Sequence, residues 1–204
     1  MKIKAVIFDL DGTLYDNSRL PFLIALHSLK RLRILADERL CRRRLAGTFL
    51  GEAPSERYID EVSAFCGRDR NLIRDWYQNE YLPLQARLLG KFFKPKPWVL
   101  SELQELRKSG ILLACFSDYG YIAEKLAALG IDPLSFDLLA DSVSYGGPKP
   151  CKEAVNAVLD KLGVSAEEAL MVGDRKDTDG LCAEISGMSF ILVGKKDKKK
   201  PEHL

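Results

Sequence analysis

The sequence predicts an α/β fold, a doubly wound and mainly parallel sheet with a small all-helical segment inserted after its first strand. Three observations carry this. Short continuous apolar runs recur along the chain, as expected of strands covered on both faces. Helical patterns that close on glycine separate most of them, and strand–helix alternation favours right-handed crossovers in one sheet. One long stretch, residues 15–94, has helical patterns and no convincing strand.

In order, Ala5-Val6-Ile7-Phe8 is the first strand. Residues 21–35, 37–45, 55–66 and 71–88 then read as helices, and residues 47–51, rich in glycine, as a loop facing the sheet or a turn between helices. Lys94-Pro95-Lys96-Pro97 is an extended linker, because each proline disfavours helix at the residue before it. Val99, Leu100, Leu103 and Leu106 give helical spacing over 99–109, closed by Gly110; residues 121–129 and 154–162 close likewise at Gly130 and Gly163. Strands are expected at 111–116, 169–172 and 190–193, with a weaker one at 136–140. The implied organisation is a core of residues 1–14 and 95–204 and a helical insert of residues 15–94.

The chain has 204 residues, 47% hydrophobic and 29% charged, enough for a sizeable core. Its formal charge of +2 argues for neither nucleic acid nor an anionic membrane as partner. No apolar run approaches the ~20 residues of a membrane span, and the N-terminal residues do not have a signal-peptide layout. Cys41, Cys66, Cys115, Cys151 and Cys182 are scattered, without a C-x-x-C pair, as expected of unpaired thiols in a reducing compartment. These features fit a cytoplasmic protein and leave its oligomeric state open. Residues 15–94 carry 15 Lys and Arg against 10 Asp and Glu, net +5, so the remainder is −3. A basic insert over a more acidic core suits an anionic ligand between them. Arg42-Arg43-Arg44 by itself reads as a solvated helix face, and the lysine-rich residues 195–200 as a disordered, solubilising tail.

Candidate chemistry lies at strand ends. Asp9 and Asp11 follow the first strand and share a face if its geometry persists, with Leu10 opposite. Crowded carboxylates repel. A divalent cation relieves this, and an oxygen-rich set suits Mg²⁺. Gly12-Thr13 lets the chain turn there, at the carboxyl end of a strand, where open α/β sheets bind ligands. Ser117-Asp118 ends a second strand, suited to a phosphate oxygen or to helix capping. Lys149, between Pro148 and Pro150, is a compact cation for a phosphate or a solvated loop lysine. Asp174, Asp177 and Asp179 follow a third strand. The helix dipole explains Asp177 or Asp179 more readily than Asp174.

Taken together and in this order, these residues resemble the haloacid dehalogenase superfamily: Asp9-Leu10-Asp11-Gly12-Thr13 after Val6-Ile7-Phe8, then Phe116-Ser117-Asp118, then Lys149-Pro150, then Gly173-Asp174 with Asp179. The insert resembles the helical cap of the branch that includes phosphoglycolate phosphatases and small nucleotidases. Lys152 departs from that branch, which often has a second proline there. The resemblance implies a Rossmann-like core and a phosphatase acting on a small phosphorylated metabolite, such as a sugar phosphate, a phosphoglycolate-like acid or a nucleotide. It implies Asp9 as nucleophile through an aspartyl-phosphate and Asp11 as acid and base. Ser117, Asp118 and Lys149 would bind phosphate. Mg²⁺ would be held by the Asp9 carboxylate, the Asp11 main-chain carbonyl and Asp174, with Asp179 supporting bound waters.

A phosphomutase needs the same residues plus a cap that keeps water from the phosphoenzyme. Carbon–halogen hydrolases of the superfamily lack the second aspartate, so Asp11 argues against that reaction. Phosphonate cleavage requires a cap lysine, for which Lys30, Lys91 and Lys94 are available. A non-catalytic phosphate-ligand binding protein would be expected to have lost one of Asp9, Asp11, Lys149 or Asp174. Substrate selection belongs to the insert, where Arg19, Arg42, Arg43, Arg44, Arg57 and Tyr58 are candidate contacts.

Overall fold

The computed structural model describes residues 2–202 and 204. In chain order it contains β1 (Ala5–Phe8), α1 (Leu20–His27), α2 (Leu32–Arg44), α3 (Pro54–Cys66), α4 (Arg70–Asp75), α5 (Leu82–Phe92), α6 (Val99–Lys108), β2 (Leu112–Ser117), α7 (Ile122–Leu129), β3 (Leu138–Asp141), α8 (Ser142–Tyr145), α9 (Lys152–Leu162), β4 (Ala169–Gly173), α10 (Leu181–Ser186) and β5 (Ser189–Leu192). The five strands form one parallel sheet in the order β3-β2-β1-β4-β5.

All four residues of β1 are buried, because neighbours lie on both edges and both faces. Its side chains alternate between two apolar layers. Ile7 packs with Ala114, Met171, Val155 and Val158 under α9 and α10. Val6 and Phe8 face the opposite layer, which holds Val99 and Leu103 of α6 and Leu126 of α7 and continues into the inserted helices through Leu88 and Leu89. The chain leaves the sheet after β1 and returns beside its exit. Tyr15 bridges Pro95, and the Lys96 N–H donates to the Leu14 carbonyl at 2.8 Å.

The helical segment differs from the sequence expectation in two places and settles a third. The break between α1 and α2 falls at Ser28–Arg31, with a 3₁₀ turn at Leu29–Arg31, not near residue 36. The helix expected over 71–88 is interrupted by a π-turn at Trp76–Tyr81, which lets the two end residues stack with ring centroids 5.0 Å apart. Residues 47–51 face the sheet side of the molecule: the Gly47 N–H donates to Pro148 O at 3.0 Å and the Leu50 N–H to Gly146 O at 2.8 Å. The expected disordered tail is also tied down at two points, since Lys195 pairs with Asp174 and Lys200 with Glu102. Among the described residues no helix is long and apolar enough to cross a membrane.

Candidate active site

The carboxyl ends of β1, β2 and β4, the three central strands, open onto a cavity of about 380 Å³. Asp9 extends the β1 ladder by one residue, its N–H donating to Val172 O at 2.8 Å. Its carboxylate is buried. Oδ1 accepts from Lys149 Nζ at 2.9 Å and Oδ2 from Thr13 Oγ1 at 3.0 Å. Lys149 Nζ also donates to Asp179 Oδ1 at 2.9 Å, so one buried ammonium bridges two buried carboxylates. Burial opposes the charge on Lys149, but Asp179 and Asp9 outweigh it and hold its pKa above the usual lysine value. Burial and the neighbouring Asp179 push the Asp9 pKa up against the pull of Lys149.

Asp11 does not continue the strand alignment. β1 ends at Phe8, and from Asp11 the chain turns. Asp9 and Asp11 both line the cavity, but their carboxylates diverge. Asp11 Oδ1 accepts from the Tyr15 hydroxyl, and Oδ2 lies 3.7 Å from Nζ of the fully buried Lys125. Neither Tyr15 nor Lys125 was signalled by the sequence: Tyr15 belongs to the insert by its position, and Lys125 occurs in an ordinary helical pattern.

Asp9, Asp174 and Asp179 each present an oxygen within 4.8 Å of the others. Asp174 Oδ2 is buried with no hydrogen-bond partner, although Lys195 Nζ stands 3.4 Å away. Burial raises the Asp174 pKa as well. Three crowded carboxylates with one orphaned oxygen match what a hard divalent cation takes, so the donor set fits Mg²⁺. Gly12 completes the corner. Its φ is +103°, and a Cβ there would collide with the Asp174 carboxylate. Its carbonyl accepts from Lys96 Nζ at 2.8 Å, a buried lysine in the expected linker that the proline pattern did not mark as important.

Asp118 and Ser117 occupy different environments. Asp118 lines the cavity, and its Oδ1 accepts from Ser142 Oγ and from the Lys149 N–H at 2.9 Å each, which fixes the loop that carries Lys149. Ser117 is fully buried at the end of β2, its Oγ accepting from the Tyr119 N–H at 3.3 Å, and is not among the cavity-lining residues. Asp177 pairs with Arg175 at the surface.

From the helical segment the cavity is lined by Leu20, Ile24, Arg39, Arg42, Arg43 and Gln85 among others. Of the arginine run, Arg43 and Arg44 are exposed, but Arg42 is not a solvated residue. It is buried, donating to Glu38 at 3.1 Å, to the Asp118 carbonyl at 2.7 Å and to the Tyr77 hydroxyl at 3.0 Å, with its guanidinium 4.0 Å from the Tyr119 ring centre. The reason is local: fully buried Glu38, one turn earlier on α2, also accepts from Tyr58 at 2.6 Å and needs a cation. Arg19, Arg44 and Arg57 do not line the cavity, nor do Lys30, Lys91 or Lys94.

A family model described as haloacid dehalogenase-like hydrolase matches residues 3–184. The chain is 32% identical to glyceraldehyde 3-phosphate phosphatase of Methanocaldococcus jannaschii, over 98% of this chain and 90% of that protein. It is 28% identical to phosphoglycolate phosphatase of Aquifex aeolicus, over 94% and 84%. The fold matches that of a HAD phosphatase from Thermococcus onnurineus at a TM-score of 0.63, 23% identity, 100% of this chain and 91% of that one.

Proposed function

The chain belongs to the haloacid dehalogenase-like hydrolase family, and we propose that within it the protein is a Mg²⁺-dependent phosphatase of small phosphorylated metabolites. The observation that carries this is Asp9: a buried carboxylate at the end of the central strand, held by Thr13 and Lys149 and clustered with Asp174 and Asp179 beside a cavity. The relatives' named activities, on glyceraldehyde 3-phosphate, phosphoglycolate and pyrophosphate, agree with a small phosphorylated substrate.

In this reading Asp9 attacks the phosphorus, the bond to the ester oxygen breaks, and an aspartyl-phosphate forms. Asp11 gives its proton to the departing oxygen, then takes one from the water that releases phosphate and restores Asp9. Lys149 holds the phosphoryl oxygens, and Asp118 positions Lys149 by accepting from its main-chain N–H. The Asp9 carboxylate, the Asp11 main-chain carbonyl and Asp174 would hold Mg²⁺, with Asp179 behind them; when bound it neutralises phosphate charge so that an anionic nucleophile can approach. Residues 15–94 act as a cap over residues 1–14 and 95–204, excluding water and meeting the leaving group.

The test is phosphate release from an aryl phosphate with and without chelator. Activity should need Mg²⁺, vanish in Asp9→Asn and fall ~10²–10⁴-fold in Asp11→Asn. Undiminished turnover in Asp9→Asn would remove the nucleophile assignment, and full turnover in EDTA the metal.

A further inference from the structure

Gln85 on α5 lines the cavity while being only 2% exposed, and its Nε2 is buried with no hydrogen-bond partner. A buried amide donor left unsatisfied is costly, so one that also borders a cavity points to an acceptor on a ligand. Arg39, half-buried, and Arg43, exposed, stand one helical turn apart on α2, and both line the same cavity. Among the described residues neither has a carboxylate or hydrogen-bond partner. The other lining cations are committed: Lys149 to Asp9 and Asp179, Lys195 to Asp174, Arg175 to Asp177, and Arg42 to Glu38 and Asp118. Leu20, Pro21 and Ile24 add an apolar wall to the same cavity. The cavity therefore combines the Asp9–Lys149–Asp179 cluster, an apolar patch and two arginines that have no protein counter-charge among the described residues.

We infer that the leaving group of the substrate carries a second anionic oxygen group, a carboxylate or a further phosphate, recognised by Arg39, Arg43 and Gln85. The inference rests on the proposed phosphatase reading for the phosphoryl end alone. Neutral aldehyde or alcohol leaving groups would offer the two arginines no counter-charge and the buried Gln85 donor no strong acceptor. A charged oxygen would answer all three side chains with charge-assisted hydrogen bonds.

Equilibrium binding tests this without turnover. With Mg²⁺ present, 3-phosphonopropionate is compared with propylphosphonate, which matches it in chain length but lacks the carboxylate. The carboxylate ligand should bind the unchanged protein about tenfold or more tightly. The margin should collapse in Arg39→Gln/Arg43→Gln and reverse in Gln85→Glu. Equal affinities in the unchanged protein, binding of neither ligand, or a margin that survives the double substitution in folded protein would overturn the inference. A propane bisphosphonate arm distinguishes the two anion sources, since the tighter of carboxylate and bisphosphonate names the group. Aryl phosphate hydrolysis by the unchanged protein tests the phosphatase reading separately.

Discussion

Lys96 combines a structural duty with a titration that can be measured. Its ammonium donates to the carbonyls of Gly12 and Gly194, tying the turn after β1 to the segment after β5. Burial lowers its pKa to about 8, against the pull of Asp174 and other nearby acids. An unfolded lysine titrates near ~10.4. Between those values the unfolded chain binds more protons than the folded one, so this group's contribution to stability rises with pH through that window and is smallest below it. In chelator, the urea stability of the native sequence relative to Lys96→Met should therefore increase from about pH 8 towards pH 10. A difference that stays flat would mean the lysine titrates normally. Asp9 makes a related point: its carboxylate is legible from its place after an apolar strand, but its partners Thr13, Lys149 and Asp179 lie 4, 140 and, through Lys149, 30 residues apart along the chain.

The turn after β1 and helix α2 each hold a position that one substitution should expose. In Gly12→Ala the added Cβ meets the Asp174 carboxylate on a backbone with positive φ. The expected cost is ~1–3 kcal/mol in urea unfolding, together with weaker Mg²⁺ binding by calorimetry, because the displaced carboxylate is a proposed ligand. Arg42→Met removes the cation beside fully buried Glu38 and should cost ~3–5 kcal/mol, with part of it recovered when Glu38→Gln is added. If the single variant lost less than about 1 kcal/mol, as for an exposed pair, the buried description of Arg42 would be wrong. Helix α2 shows why the sequence misled here. Arg42, Arg43 and Arg44 look alike in a row, and only rotation about the helix axis turns one inward and leaves two outward.

For the whole molecule, the crowded Asp9, Asp174 and Asp179 should make folding stability depend on Mg²⁺. A ligand at a hundred times its Kd adds ~2.7 kcal/mol, and a chain of this size shifts ~2–4 °C per kcal/mol. Scanning calorimetry in saturating Mg²⁺ against EDTA should therefore raise Tm by roughly 5–10 °C, and Asp174→Asn should remove most of that rise. An unchanged Tm in the native sequence would argue that the acids hold no cation.

The sheet was legible because its central strands β1, β2 and β4 are short and buried on both faces, which forces continuous apolar runs. The segments bearing Asp9, Ser117 and Asp174 stood out because polar residues at the ends of such runs emerge at one edge of a parallel sheet, whereas Lys149, beyond β3 and α8, was marked by the prolines on either side of it. Less could be read from the helical segment. Its helices pack on one another and on α7, so polar residues such as Glu38, Arg42 and Gln85 are buried by neighbours distant in sequence. Residues 195–200 looked like tail because lysine-rich composition suggests solvent, yet Lys195 and Lys200 find Asp174 and Glu102. What the sequence determined by itself was the layered α/β architecture, the order of its strands along the chain and the residue types at the strand ends, all set by local periodicity and burial. What only the tertiary structure decided was which side chains meet: Lys149 between Asp9 and Asp179, Asp11 turned to Tyr15, Arg42 turned inward, and Arg39, Arg43 and Gln85 brought to one cavity. Those outcomes depend on distances between segments far apart in the chain, and packing fixes those distances, not local pattern.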